Sequence, residues 1–511
     1  MNDKISLNSK RVIKNTLMLY FRMFFIMGIG LYTSRVILQT LGVVDFGIYN
    51  AVGGFVALFA IVSKSLSGAA SRFLNYEMGR GNAEALKKVF STTVTIQLIL
   101  CLIIVVLAET VGLWFLNNKL VIPVERIVAA KYCFQLSLIT FCMHLVSVPY
   151  NAAIIAHENM KTFAFVSIVE GVAKLVIAFL IAASPIDKLI YYAILLCTLQ
   201  VVIQLMYVLF CKRNYQECTY HFVHDKVLFK QLFSYAGWGF IGSTSGVLRN
   251  QGINVLLNMF FGPAINAARA VSNQVLHAVD GFVQNFMTAV KPQMTQLYAA
   301  EKYDDMIKIM LLSMRYSYYL FLLISLPIIM NAASLLNLWL KNVPDYSVLF
   351  VQLTLIFTMI TTISHPLSIA QAATGKIRDY QIVIGGLQLL NLPISYVCLK
   401  MGFSSESVLF VAIGIAFVVV WVSLYMIKKL VPINPKEFCK VIFKLLFVTM
   451  IVFSLSIAIA LVLPSTTIFS MIQIVLEFVI ALVVVAFIGC SSNERLSVKK
   501  MFLKKIMGAK K

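Results

Sequence analysis

Arg22, Lys64, Lys174 and Arg249 each stand inside a long run of apolar residues. A cation at mid-bilayer costs roughly 2.5 to 3.5 kcal/mol on insertion scales, so basic residues at such positions argue for a ligand or an ion pathway. Arginine offers a planar fork of donors that suits phosphate oxygens, and lysine adds a mobile point charge. The chemistry of this set is anion binding. Helical spacing puts Arg22 on one face with Asn15 and Thr33, and Lys64 on one face with Asn50, Gly54, Ala57, Gly68 and Arg72. Arg249 follows Gly242 and Ser245 and precedes Gly252, small residues that let a ligand or a helix approach closely.

A second constellation is polar rather than basic. Asn266, Asn273, His277, Asp280, Gln284, Thr288 and Lys291 fall within about 40° of one line at the helical period. Such a stripe cannot face lipid. So many polar groups on one face favour a water-filled cavity; the alternative is mutual satisfaction as interhelical glue, worth about 0.6 kcal/mol per group. Asp280, with His277 one turn earlier, is a candidate for carrying a proton or a sodium ion. At an offset of 216 residues Lys64 falls on Asp280, so the two could equally neutralise each other. Glu170 and Lys174, four apart, are spaced to pair within one helix, with a proton-relay role for Glu170 as the alternative. His144 is a lone histidine that reads as packed, and Glu109 and Glu477 read as interfacial.

These residues need an apolar scaffold, and the composition supplies it. Of 511 residues 60% are hydrophobic and 13% charged, about half the charged share of a soluble domain. A mean hydropathy of +0.88 over the whole length excludes a soluble globule and a single anchor alike. Fourteen apolar spans are expected, near 12–31, 49–66, 89–107, 132–148, 163–183, 189–210, 232–257, 270–290, 316–336, 348–370, 380–399, 408–427, 445–463 and 468–488. The first is too long for a signal peptide and has no small-residue cleavage site, so it reads as uncleaved. With both termini cytoplasmic, 31 of the 43 Lys and Arg residues fall on the cytoplasmic side and 8 on the other. This is the asymmetry that orients membrane proteins, so the net charge of +22 is topological and nucleic acid is excluded as a partner.

An internal repeat is visible. The fifteen residues from Pro149 to Phe163 match those from Pro366 to Tyr380 without a gap at an offset of 217, pairing Ala153 with Ala370, Ala156 with Ala373 and Lys161 with Arg378. The expected architecture is an all-α polytopic membrane protein of two parallel six-helix lobes, residues 1–211 and 232–430. They are joined by a cytoplasmic connection at 212–231 and followed by two helices and a basic tail at 431–511. Parallel repeats are a transporter architecture, with the substrate site expected between the lobes.

Enzyme readings lack their motifs. Gly375-Lys376 has no glycine five residues earlier, so there is no phosphate-binding loop, and no metalloprotease or nucleophile-elbow pattern occurs. Cys211, Cys218, His221 and His224 depart from zinc-ligand spacing, and the nine cysteines contain no C-x-x-C pair. No metal or cofactor is expected.

Leu19-Tyr-Phe-Arg-Met23, Leu31-Tyr-Thr-Ser-Arg35-Val, Leu41-Gly42, Asp45-Phe-Gly-Ile-Tyr49-Asn50 and Arg72-Phe-Leu resemble the polysaccharide and O-antigen flippase family of the MATE-like superfamily. The resemblance implies transfer of undecaprenyl pyrophosphate-linked oligosaccharide from the inner to the outer leaflet of a bacterial plasma membrane. It implies that glycan, the bilayer, and a polysaccharide polymerase and glycosyltransferases as partners. It also makes Arg22 and Arg249 candidates for holding the pyrophosphate, with Lys64, Arg72, Lys174, Asn266 and Arg269 as further substrate-binding candidates. Drug exporters of the superfamily carry an acidic residue midway along the first span where this chain has Arg22, so cation export is the alternative. A scaffold for glycan-assembly enzymes is a third reading, disfavoured because a polar stripe through the bilayer is expensive without a pathway.

Overall fold

The computed structural model describes residues 15–30, short stretches between 32 and 49, residues 60–118, and residues 122–495 apart from 185, 224, 262, 341–342, 463–466 and 491–493. Every regular element among them is helical. In chain order they are α1 (Asn15–Gly30), α2 (Ala60–Arg80), α3 (Ala83–Leu107), α4 (Leu113–Asn118), α5 (Ile127–Ala156), α6 (Met160–Leu180), α7 (Lys188–Asn214), α8 (Lys226–Phe261) and α9 (Pro263–Ala299). They continue as α10 (Tyr303–Met330), α11 (Ala332–Trp339), α12 (Ser347–Thr374), α13 (Arg378–Leu389), α14 (Asn391–Lys400), α15 (Ser407–Lys428), α16 (Pro435–Val462) and α17 (Thr467–Val484).

Among the described residues ten helical stretches are long and apolar enough to cross a membrane. The expected fourteen spans differ from this at four places. α8 and α9, of 36 and 37 residues, have the length but carry the polar residues noted above. α1 is described over one short apolar helix, and residues 50–59 of the expected second span lie outside the described residues.

The chain forms two compact units. Of the described residues, one comprises those within 13–243 together with 295–301, the other those within 244–294 together with 302–495. In the first, α5 packs on α2, α3 and α7; in the second, α12 packs on α10 and α15. The matched segments occupy equivalent places: Pro149 lies inside α5, Pro366 inside α12, and each helix ends one short turn before the next begins. Those turns reverse through left-handed residues, Glu158 at φ 54° and Gly375 at φ 79°, which are 217 positions apart, the offset of the repeat. Side-chain caps start the following helices where acceptors are available: Asn159 accepts from the Thr162 N–H at 3.3 Å, and Asp187 from the Leu189 and Ile190 N–H groups at 3.0 and 3.2 Å.

Asp45, which opens the Asp45-Phe-Gly-Ile-Tyr49-Asn50 motif, has a structural task. Arg126 extends its guanidinium between two carboxylates, with Nε 2.8 Å from Asp45 Oδ1, Nη2 also on Asp45, and Nη1 and Nη2 on Asp187, which caps α7. One cation thereby ties the segment around Asp45 to the starts of α5 and α7. In the other unit Glu477 is enclosed by its neighbours. It has no exposed surface, because α17 packs on α10 and turns its carboxyl toward Asn331 at the α10–α11 junction.

Candidate functional site

Two groups of polar and charged side chains lie within the apolar helices, one in each unit. In the first unit Phe163, Ser167, Glu170 and Lys174 recur at helical spacing along one face of α6. Arg22 reaches this face from α1: its guanidinium carbon sits 4.5 Å from the Phe163 ring centre, and Nη1 donates to Ser167 Oγ at 3.4 Å. Lys174 Nζ donates to Glu170 Oε1 at 2.6 Å, the pairing their spacing predicts. Tyr207 on α7 is within electrostatic reach of both Arg22 and Glu170 and hydrogen-bonds Asn151, while His144 on α5 is within reach of Glu170 and Lys174. This cluster unites Arg22, Glu170 and Lys174 and adds Tyr207 and Phe163, which sequence reasoning did not single out. The face spacing on α6 was the available signal.

Arg72 sits apart from any open face. It is buried on α2, with its guanidinium 4.6 Å from the Phe73 ring and 4.5 Å from the Tyr76 ring, and Tyr235 and Tyr298 within electrostatic reach. An aromatic cage of this kind holds a cation through ring faces. The backbone of Lys64 lies in α2 and that of Asn266 in α9, but both side chains lie outside the described residues, and so does the expected pairing of Lys64 with Asp280.

In the second unit Arg249 on α8 and Arg269 on α9 lie within electrostatic reach of each other. Arg249 stacks over Phe357 of α12 at 5.5 Å and donates to Asn250 at 3.4 Å. Arg269 is buried, and its Nε meets no acceptor among the described residues. The small residues around Arg249 are used by helices. A methyl group on Gly252 would lie 2.5 Å from a Leu392 methyl of α14, and one on Gly385 of α13 would lie 3.0 Å from Ser245 Oγ. Further along α9, Asp280 Oδ2 accepts from Gln284 at 3.1 Å, and Oδ1 is buried without a donor among the described residues. His365, on α12, lies within electrostatic reach of Asp280. His277 is exposed, and His365 reaches Asp280 from another helix. A lone histidine directly before Pro366 gave no sequence signal for that juxtaposition.

The sequence pattern of the polysaccharide biosynthesis protein family matches residues 12–298, and this chain belongs to that family. No curated protein matches the chain. The fold is that of solved MATE proteins. A MATE protein in complex with MaD3S superimposes with a TM-score of 0.72 at 12% identity, covering 83% of this chain and 97% of that one. A MOP superfamily transporter from Pyrococcus furiosus, described as having a binding pocket of reverse polarity, gives 0.68 at 11% identity over 81% and 95%. A Vibrio cholerae MATE transporter gives 0.66 at 17% identity over 83% and 97%. Fold and family together define a multi-pass membrane transport protein rather than an enzyme.

Proposed function

We propose that this protein flips undecaprenyl pyrophosphate-linked oligosaccharide units from the inner to the outer leaflet of a bacterial plasma membrane for surface polysaccharide assembly. The observation that carries the reading is the pair Arg249 and Arg269, two guanidinium groups within reach of each other and without a carboxylate partner among the described residues. Two such groups match the two phosphates of a pyrophosphate, each of which accepts charge-assisted, bidentate hydrogen bonds. Arg22, over the Phe163 ring and donating to Ser167, is the corresponding anion ligand of the first unit in this reading.

In this reading residues 1–211 and 232–430 act as two six-helix lobes that alternate access to a basic cavity, residues 431–511 flank the lipid tail, and both termini are cytoplasmic. A polymerase and glycosyltransferases hand substrate on and off. Asp280, within electrostatic reach of His365, is the proposed carrier of the driving proton or sodium ion. Export of an organic cation is the second reading, supported by the acidic members Glu170 and Asp280 and by the fold; the positive charge of Arg22 opposes it.

The test is leaflet transfer of a fluorescent undecaprenyl pyrophosphate-linked oligosaccharide in proteoliposomes, comparing wild type with Arg22→Ala and Arg249→Ala. Transfer by wild type that is lost in both folded variants supports the proposal. No transfer across several glycans and ion gradients, together with efflux of a cationic dye, moves the protein to the exporter reading.

A further inference from the structure

Glu477 takes no part in the basic clusters, and nothing in the family match covers it, since that match ends at residue 298. It lies fully enclosed on α17, with zero exposed surface. Its two oxygens are each met by a neutral amide. Gln473, one turn earlier on the same helix, donates to Oε1 at 2.8 Å, and Asn331 donates to Oε2 at 2.9 Å. Asn331 is itself steadied by donating to the Pro327 carbonyl at 3.1 Å. Two turns before Glu477, Ser470 Oγ lies 3.0 Å from Ser334 Oγ of α11, a second polar contact across the same seam.

Among the described residues no cation answers this carboxyl. α10 carries Asp304, Asp305, Lys308 and Arg315, all sixteen or more residues before Asn331, and its Tyr303, Tyr316, Tyr318 and Tyr319 likewise precede it. α16 carries Lys436, Glu437, Lys440 and Lys444 in its first turns, α12 carries only His365, and α11 has no titratable group. Arg315 is paired with Glu494. None of these acts electrostatically on Glu477.

An ionised carboxylate buried without a counter-charge keeps an uncompensated desolvation penalty that two neutral amides do not remove. A hard metal cation would need a cage of oxygen ligands, whereas both amides here turn their N–H groups to the carboxyl. A proton is the remaining neutraliser. We propose that Glu477 is a proton-binding site that closes the seam between α17 and the α10–α11 junction: the seam is tight with the proton bound and admits water when the proton leaves. The site is independent of the lipid-linked substrate reading, because it needs no ligand other than the proton.

The test uses the full-length protein in lipid vesicles with two readouts. The first is the infrared carbonyl stretch of a protonated carboxyl at neutral pH, in wild type and Glu477→Gln. The second is disulfide formation between Ser334→Cys and Ser470→Cys, read as the joined peptide pair, in backgrounds with Glu477 and with Glu477→Gln. A band present in wild type and missing in Glu477→Gln is expected. Cross-linking, normalised to the Glu477→Gln background, should fall several-fold from acidic to alkaline pH. The glutamine variant should fold, because its amide keeps the neutral shape of the protonated carboxyl. No difference between the two spectra, or the same cross-linking response in both backgrounds, overturns the proposal. A band abolished by sodium rather than by alkali overturns it in favour of a metal-cation site.

Discussion

Arg249 on α8 and Arg269 on α9 set two guanidinium charges against each other inside one unit, with Arg249 the charge that acts on Arg269. Like charges at close quarters weaken a fold and strengthen its affinity for an anion that neutralises them. Replacing either should therefore have opposite effects on stability and binding, a pattern expected of functional sites. Arg249→Ala is expected to leave the unfolding temperature unchanged or raised. It should weaken binding of a pyrophosphate-bearing lipid by roughly 1.5 to 3 kcal/mol, the value of a hydrogen bond to a charged group. With one ligand shared between the two, as proposed, the double variant should lose less than the sum of the singles. Equilibrium binding to purified protein, with thermal unfolding alongside, checks this; unaltered affinity in both single variants would remove the pair from the site.

The approach of His365 to Asp280 makes a separate prediction about energy use. Asp280→Asn should impair transport driven by an ion gradient more than it impairs substrate binding. His365→Gln should reproduce that split, and the double variant should be no worse than Asp280→Asn alone. His277→Ala, on an exposed position of the same helix, should change little. Parallel loss of binding and transport in Asp280→Asn would instead make this aspartate part of the substrate site.

Away from the membrane spans, Glu217 joins the turn after α7 to the end of α5. It is buried, its Oε1 lies 2.5 Å from His157 Nε2, and the His157 ring stacks on Tyr215 at 3.9 Å. Burial by itself raises the Glu217 carboxyl, but the His157 hydrogen bond, a backbone N–H and the charges of His157 and Lys87 outweigh it and hold the group below the usual carboxylate range. A carboxylate depressed in the folded state stabilises it above the unfolded value, and that contribution fades as pH falls through the folded one. Glu217→Gln should cost about 2 kcal/mol at neutral pH. The gap to wild type should close on strong acidification, as followed by chemical unfolding across pH. A gap independent of pH would mean that shape, not charge, is what Glu217 contributes.

Local periodicity made much of this protein legible, and relations between distant helices did not. The pairing of Glu170 with Lys174 and the close approach at Gly252 beside Arg249 follow from spacing within one helix, and the structure has both in that form, while the expected polar line lies on the single continuous helix α9. The repeat was readable from Pro149 and Pro366. Its left-handed turn was half hidden, because glycine announces that conformation at 375 while Glu158 adopts it against its propensity. His365 and Glu477 escaped for one shared reason. The role of each depends on a residue of another helix, Asp280 and Asn331, that no spacing rule connects to it. No spacing rule links Arg126 to its two carboxylates either, which lie 81 and 61 positions away.

Two glycines of α2 should respond oppositely to the same change. In a helix interior alanine is favoured over glycine by about 1 kcal/mol, because glycine gives up more backbone freedom on folding. At Gly68 nothing lies within 4 Å of an added methyl group, so Gly68→Ala should stabilise by about that amount. At Gly79 the methyl would lie 2.4 Å from the Gln296 carbonyl oxygen and 2.7 Å from its Cα, both backbone atoms of the last turns of α9. Gln296 is held there by donating to Asn75 Oδ1 at 3.3 Å and to the Ala156 carbonyl at 3.0 Å. Backbone cannot swing aside as a side chain does, and overpacking of this kind costs about 1 to 3 kcal/mol, which exceeds the helix gain. Gly79→Ala should therefore lower the unfolding temperature of the purified protein while Gly68→Ala raises it. Equal and positive shifts would show that the end of α9 is free to move off α2, and that the close approach at Gly79 contributes nothing to the stability of the first unit.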